Sequence, residues 1–273
     1  MQYEVKELSL GGILDQAIRL LRDHAGLLFG IVGVSVVPFS TLAMFIQQPH
    51  LERFQAAQLE SGGAVDPELL ATFMLWNSGL TVISLVIMSL ANAAMIHGIA
   101  SSYLSRPTTI GECFQRGLSR LLPVLGTTIL VFLATFAGFL LLIIPGIFCI
   151  YWFMLSQHVT VLESQAGIGA MKRSKALVKG NMGTLFLLTL VLGILGAAIG
   201  GIAGMIPQPH VRIVIQAVVQ GVATVIGGCA LVVFYFSCRC QKENFDLDVL
   251  ATAVEDSSPV AEDAMEYDRD TRP

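Results

Sequence analysis

Residues 121–162 read LLPVLGTTILVFLATFAGFLLLIIPGIFCIYWFMLSQHVTVL and contain no Lys, Arg, Asp or Glu. About 20 apolar residues in an α-helix cross a hydrocarbon core of roughly 30 Å. The run is about twice that length, so it predicts two crossings, with Pro145-Gly146 as the tight turn between them. It is continuous rather than alternating, which argues against a β-barrel. In lipid each peptide group must be satisfied within its own segment, and a helix does that.

Working outward, the same reading gives six spans: 25–46, interrupted by Pro38; 77–101, flanked by Trp76 and Tyr103 as interfacial anchors; 122–144; 147–162; 184–206, ended by Pro207-Gln208-Pro209; and 213–237. The expected fold class is therefore all-α, a polytopic membrane helix bundle of about six transmembrane helices. Composition agrees: 54% of the 273 residues are hydrophobic and only 13% are charged, against about 25% charged in a soluble domain. No small-x-small site closely follows the first apolar segment, so that span is expected to stay in the mature chain. The expected layout is an N-terminal cytoplasmic segment over 1–24, a membrane domain over 25–237, a juxtamembrane segment over 238–254 and a disordered acidic tail over 255–273. The polar stretch 50–68 predicts an outer loop with a short helix over 51–59.

Orientation follows from the basic residues. Of the 16 lysines and arginines, all but Arg53 and Arg212 fall in the N-terminal segment, between spans two and three, between spans four and five, or after span six. With six spans these segments share one side, and positive charge marks the cytoplasm. Both termini are expected there. The net charge of -4 comes from the acidic tail, and no basic cluster lies in a soluble domain, so nucleic acid is not an expected partner.

Three inner-side segments read as amphipathic helices. Leu10, Ile13, Leu14, Ala17, Ile18 and Leu21 form one stripe at helical period, and Ile110, Cys113, Phe114, Gly117, Leu118 and Leu121 repeat the spacing. Thr109 with Glu112 fits a capping box. A looser third stripe begins at Ile168. The pattern suggests a threefold internal repeat, each unit an amphipathic helix followed by two spans. Two readings stay open for these helices: apolar faces in the acyl boundary with basic faces on anionic headgroups, or packing against the bundle.

Few groups suggest chemistry. Asn92, His97, His158 and Glu163 are the candidate buried polar residues within or at the ends of spans. No carboxylate sits near a midplane, as a proton relay would want. Lys172, Arg173, Lys175 and Lys179, with Asn181, form the densest basic run; it reads as a topology signal or as a headgroup or phosphate contact. Gly196, Gly200 and Gly204, four apart, predict close packing of spans five and six. The five cysteines read as free packing residues. No nucleophile elbow, zinc helix motif or phosphate loop is present, and the five histidines are scattered. No catalytic residue, metal site or cofactor is expected.

One stretch carries a family resemblance. Ile144-Pro145-Gly146-Ile147, Tyr151-Trp152, Val159-Thr160-Val161-Leu162-Glu163, Ala170-Met171-Lys172-Arg173-Ser174 and Leu177-Val178-Lys179-Gly180-Asn181 resemble the membrane domain found beside glycerophosphodiester phosphodiesterases, and the YciC-like bacterial membrane proteins. Leu8-Ser9-Leu10-Gly11-Gly12-Ile13-Leu14-Asp15 and Gln241-Lys242-Glu243-Asn244-Phe245-Asp246-Leu247 resemble their ends. The resemblance implies a bundle in the bacterial cytoplasmic membrane and no catalysis, because hydrolysis in two-domain relatives belongs to a separate soluble barrel. One departure is local: 234–239 lacks the acidic residue expected before Arg239. The function expected is a non-enzymatic scaffold or partner-binding bundle in lipid or envelope processes. The alternatives are a transporter or lipid-translocating protein, and a membrane component of glycerophosphodiester metabolism. Expected partners are the lipid bilayer, anionic phospholipid headgroups and a membrane protein.

Overall fold

The computed structural model describes residues 6–60, 66–205, 207–243 and 245. The acidic tail 255–273 and most of 244–254 lie outside the described residues. The described chain is all-α. It opens with α1 (Leu10–Asp23), α2 (Ala25–Glu60) and α3 (Pro67–Tyr103). Next come α4 (Ile110–Ser119), α5 (Leu121–Leu141), α6 (Ile143–Phe153) and α7 (Ser156–Leu162). The chain closes with α8 (Ile168–Val178), α9 (Met182–Gly204) and α10 (Pro209–Glu243). Among the described residues six segments are long and apolar enough to span a bilayer: α2, α3, α5, α6 with α7, α9 and α10. The protein is a multi-pass membrane bundle, and a short helix precedes each pair of spanning segments.

Local chemistry sets the helix starts. The Ser9 hydroxyl accepts from Gly12 N at the head of α1. At the head of α4, Thr109 Oγ1 accepts from Glu112 N and the Glu112 carboxylate accepts from Thr109 N at 2.9 Å, a complete capping box. The Glu112 carboxyl lies below its ordinary pKa, chiefly because of the Thr109 N–H bond. Asp66 caps α3 with Pro67 in the first turn, where a missing N–H costs nothing.

Three boundaries correct the sequence reading. The polar stretch after residue 50 is not a separate short helix over 51–59, because α2 continues through Pro38 and Pro49 to Glu60. At 1.5 Å per residue, α2 and α3 are each about 54 Å long, well beyond a hydrocarbon core. Toward their far ends they stay paired through Gln47 Nε2 donating to Asn77 Oδ1 at 2.6 Å and stacked His50–Trp76 and Phe54–Phe73 rings. Second, the turn after α5 falls at Leu142, not at Pro145-Gly146. Pro145 sits in the first turn of α6, again where no N–H is needed. Gly146 instead packs against α5: a Cβ on Gly138 would lie 3.1 Å from Gly146 Cα.

The third correction is that the fourth span is broken. Its two pieces, α6 and α7, part at Met154-Leu155. Ser174 of α8, fully buried, fills the break: its Oγ donates to Trp152 O at 2.7 Å and accepts from Leu155 N at 3.2 Å. Irregular backbone at membrane depth persists where protein satisfies it, and here one hydroxyl does so on both sides.

Burial concentrates at the end of the bundle that carries α1, α4 and α8, called here the basic end. The apolar stripes of α1 and α4 face protein: Ile13, Ala17, Leu20, Cys113 and Gly117 are buried, while Ile18 and Leu118 are exposed. A Cβ on Gly117 would come within 3.1 Å of Ala94 N and Leu90 O, so α4 lies directly on the α3 backbone. The central post is α10, where every residue from 232 to 238 is buried.

Candidate functional site

The polar groups of the basic end form several sets of contacts around α8 and α10. Glu163, just past α7, accepts from Tyr235 Oη at 2.8 Å and from Arg173 Nε at 2.8 Å. Arg173 also pairs through Nη2 with Glu243, and Arg239 Nε pairs with the other Glu243 oxygen at 3.0 Å. Burial works against the Arg173 guanidinium, but the hydrogen bonds and charges of Glu163 and Glu243 outweigh it and raise its pKa. Lys242 Nζ donates to the Ala176 and Lys179 carbonyls at the C-terminal end of α8, where a cation suits the helix dipole. Asn181 Nδ2 donates to Gln241 Oε1, and Gln241 Nε2 to Glu7 Oε1 at 2.8 Å. Leu8 N donates to Ser237 Oγ at 2.9 Å. Residues 7 and 8, Asn181 and α8 are thereby tied to α10.

A second polar chain lies within the spans. Asn92 Nδ2 of α3 donates to Gln157 Oε1 of α7, and Gln157 Nε2 donates to Thr128 Oγ1 of α5 at 2.9 Å. A hydroxyl pair, Thr127 with Thr160 at 3.2 Å, joins α5 to α7 nearer the basic end. Thr127 Oγ1 also accepts from Gly167 N at 2.9 Å, which fixes the loop into α8.

A family model matches residues 120–258, just over half of the chain. The chain belongs to that family, described as a domain of unknown function, DUF8558. No curated protein and no solved structure matches it. The DUF8558 region begins beside α5 and runs beyond α10, so it holds Glu163, Arg173, Tyr235, Arg239, Glu243, Thr128 and Gln157. Asn92 and α1 to α4 lie before it.

Within this frame the predicted basic run divides. Arg173 and Asn181 are engaged within the protein, as described. Lys175 Nζ lies 3.9 Å from the Trp152 ring centroid, a cation–π contact. Lys172, Lys175 and Lys179 are exposed. Of the predicted polar residues, Asn92 joins the amide chain and Glu163 anchors the cluster. His97 is half-buried in α3. His158 is buried and stacked on Tyr235, 6.3 Å between centroids, and its Nδ1 has no hydrogen-bond partner among the described residues. These four residues do not converge on one point.

The glycine prediction for α9 does not hold. A Cβ on Gly196, Gly200 or Gly204 would meet nothing within 4 Å. The close approaches are made elsewhere: a Cβ on Gly221 of α10 would lie 2.8 Å from Val32 of α2, and one on Gly228 would lie 3.1 Å from Ile99 of α3. The acid missing before Arg239 is supplied one turn after it, as Glu243. Sequence reasoning also passed over Gln157, Thr128 and Ser174. A lone amide in the fourth span was the available signal for Gln157; Ser174 had none beyond its place in the basic run.

Proposed function

We propose that the chain is a non-enzymatic protein of the bacterial cytoplasmic membrane, with both termini in the cytoplasm, that acts as a scaffold or partner-binding bundle in lipid or envelope processes. One observation supports this most. Glu163 and Glu243 at the basic end are used to lock α8 and α10 together, while Lys172, Lys175 and Lys179 face outward from α8. Carboxylates spent on internal pairing hold a platform, and an exposed row of lysines beside it suits anionic phospholipid headgroups. The resemblance to membrane domains found beside glycerophosphodiester phosphodiesterases fits a protein of lipid metabolism that leaves hydrolysis to others.

Native mass spectrometry of the purified chain tests the reading. Anionic phospholipid should be retained and should fall on Lys172→Glu with Lys179→Glu, and glycerophosphodiesters with a divalent metal should not be turned over. Metal-dependent release of glycerol phosphate would overturn it. Reporter fusions after residue 175 should read as cytoplasmic and those after residue 208 as external.

A second reading, a transporter or lipid-translocating protein, rests on the break between α6 and α7. Interrupted spans mark binding sites in transporters, and this one lies two residues from Gln157. Flux of a labelled lipid between leaflets, dependent on the protein, would favour it.

A further inference from the structure

The chain of Asn92, Gln157 and Thr128 is also the floor of a groove. A cavity of about 350 Å³ opens beside it, lined by Val36 of α2, Met88 and Asn92 of α3, Thr128 of α5, Gln157 of α7 and Thr224 of α10. A second cavity of about 270 Å³ also borders Gln157 and Thr128, walled by Thr135 and Phe153 among others. The first falls in the range of small-molecule sites, about 300–1,000 Å³. Counting along the helices, Thr128 is about 10 Å from the start of α5, Gln157 about 8 Å from the end of α7 and Asn92 about 16 Å from the end of α3. The floor therefore lies inside the hydrocarbon, in the half nearer the basic end.

The lining decides the chemistry. Among the described residues, no Lys, Arg, Asp, Glu or His lines either cavity. A phosphate here would be a charge in a low-dielectric site with no counter-charge, which is costly. A neutral headgroup finds partners. Asn92 Oδ1 makes no hydrogen bond among the described residues and can accept one. Each amide NH₂ has two N–H groups, and Asn92 and Gln157 each use one. The open set is thus one acceptor and two donors, which a hydroxyl and ester carbonyls complete. Val36 and Met88 supply apolar wall for a chain, and methionine adapts to irregular shapes.

We infer that this groove binds a neutral, hydroxyl-headed glycerolipid of the diacylglycerol type, its hydroxyl on Asn92 and its esters on the two amides. This goes beyond the scaffold reading and does not depend on it; the exposed lysines of α8 take no part.

Photolabelling tests it. The full chain is reconstituted in phosphatidylethanolamine–phosphatidylglycerol vesicles with a trace of photoactivatable diacylglycerol, and crosslinked residues are mapped. Labelling should saturate, yield to unlabelled diacylglycerol and map to α3, α5 and α7 around the cavity. Gln157→Leu and Met88→Trp should each lower it about tenfold, the size expected for losing a buried polar contact or the space itself. Met88→Trp leaves the amide chain in place, so it decides the matter if Gln157→Leu does not fold. Equal, saturable labelling of the same peptides by photoactivatable phosphatidylglycerol would overturn the proposal, as would wild-type labelling of Met88→Trp.

Discussion

At the basic end of the bundle the helices are locked together; toward the far end they touch mainly in pairs. Tyr103, Leu155, Leu177, Phe234 and Tyr235 are buried on the first side, joined by the Glu163–Arg173–Glu243–Arg239 pairs. Toward the far end the buried residues of α9 and α10 are Ala203, Ile213 and Ala217, and contacts run through the Gly138–Gly146 approach and the stacked Phe45–His210 and His50–Trp76 rings. The same contrast separates the last two helices. Among the described residues α9 buries only Leu185, Leu188 and Ala203, whereas α10 buries every residue from 232 to 238, though both are apolar enough to span. Lipid tails are as apolar as leucine, so apolarity alone gives neighbouring helices no reason to associate. What fastens the basic end is shape and polarity: glycines at true contacts and hydrogen-bonded groups that lipid cannot satisfy.

If so, removing a polar lock should do the most damage. Glu163→Ala strips Arg173 and Tyr235 of a partner. It should cost about 2–3 kcal/mol in thermal or detergent unfolding, below the full penalty for a broken buried pair because Arg173 keeps Glu243 and is partly exposed. Next comes a matched pair of glycines. Gly221→Leu drives a side chain into Val32 and Val37 and should destabilise by about 1–3 kcal/mol. Gly200→Leu projects into open space and should stay within about 0.5 kcal/mol of the parent. Equal effects would dissolve the contrast between α9 and α10. Ser174→Ala leaves Trp152 O and Leu155 N unsatisfied and should cost about 1–2 kcal/mol. The smallest effect is at the head of α4. The Glu112 carboxyl titrates below its ordinary 4.5, so its bond to Thr109 N–H is fully present above that pH and is lost as pH falls through its lowered value. Protection of the Thr109 amide, relative to the unprotected exchange rate at the same pH, should fall only under acid, and Glu112→Gln should flatten that dependence.

Much of this plan was legible in the sequence. The charge-free run at 121–162 and its counterparts fixed the six spans, and Thr109 with Glu112 marked a helix start that folds as read. The amphipathic stripes located α1 and α4, although which surface their apolar faces meet could not be read, since protein and acyl chains are equally apolar. The glycine spacing in α9 misled for the same reason: spacing shows that small residues share a face, not that another helix lies there. The α6–α7 break was invisible because Met154-Leu155 contains no Pro or Gly. Its cause is tertiary, a hydroxyl delivered by α8. Gln157 needed partners from two other helices before it meant anything.

Accessibility of nitroxide labels in vesicles tests the central claim most directly. Labels replacing Ile194 and Ile202 of α9 should collide freely with lipid-dissolved oxygen and little with a water-soluble nickel chelate. Labels replacing Val225 and Val232 of α10 should be shielded from both. Strong nickel collisions at all four positions, or equal oxygen access in α9 and α10, would contradict a bundle that buries α10 and leaves α9 to the lipid.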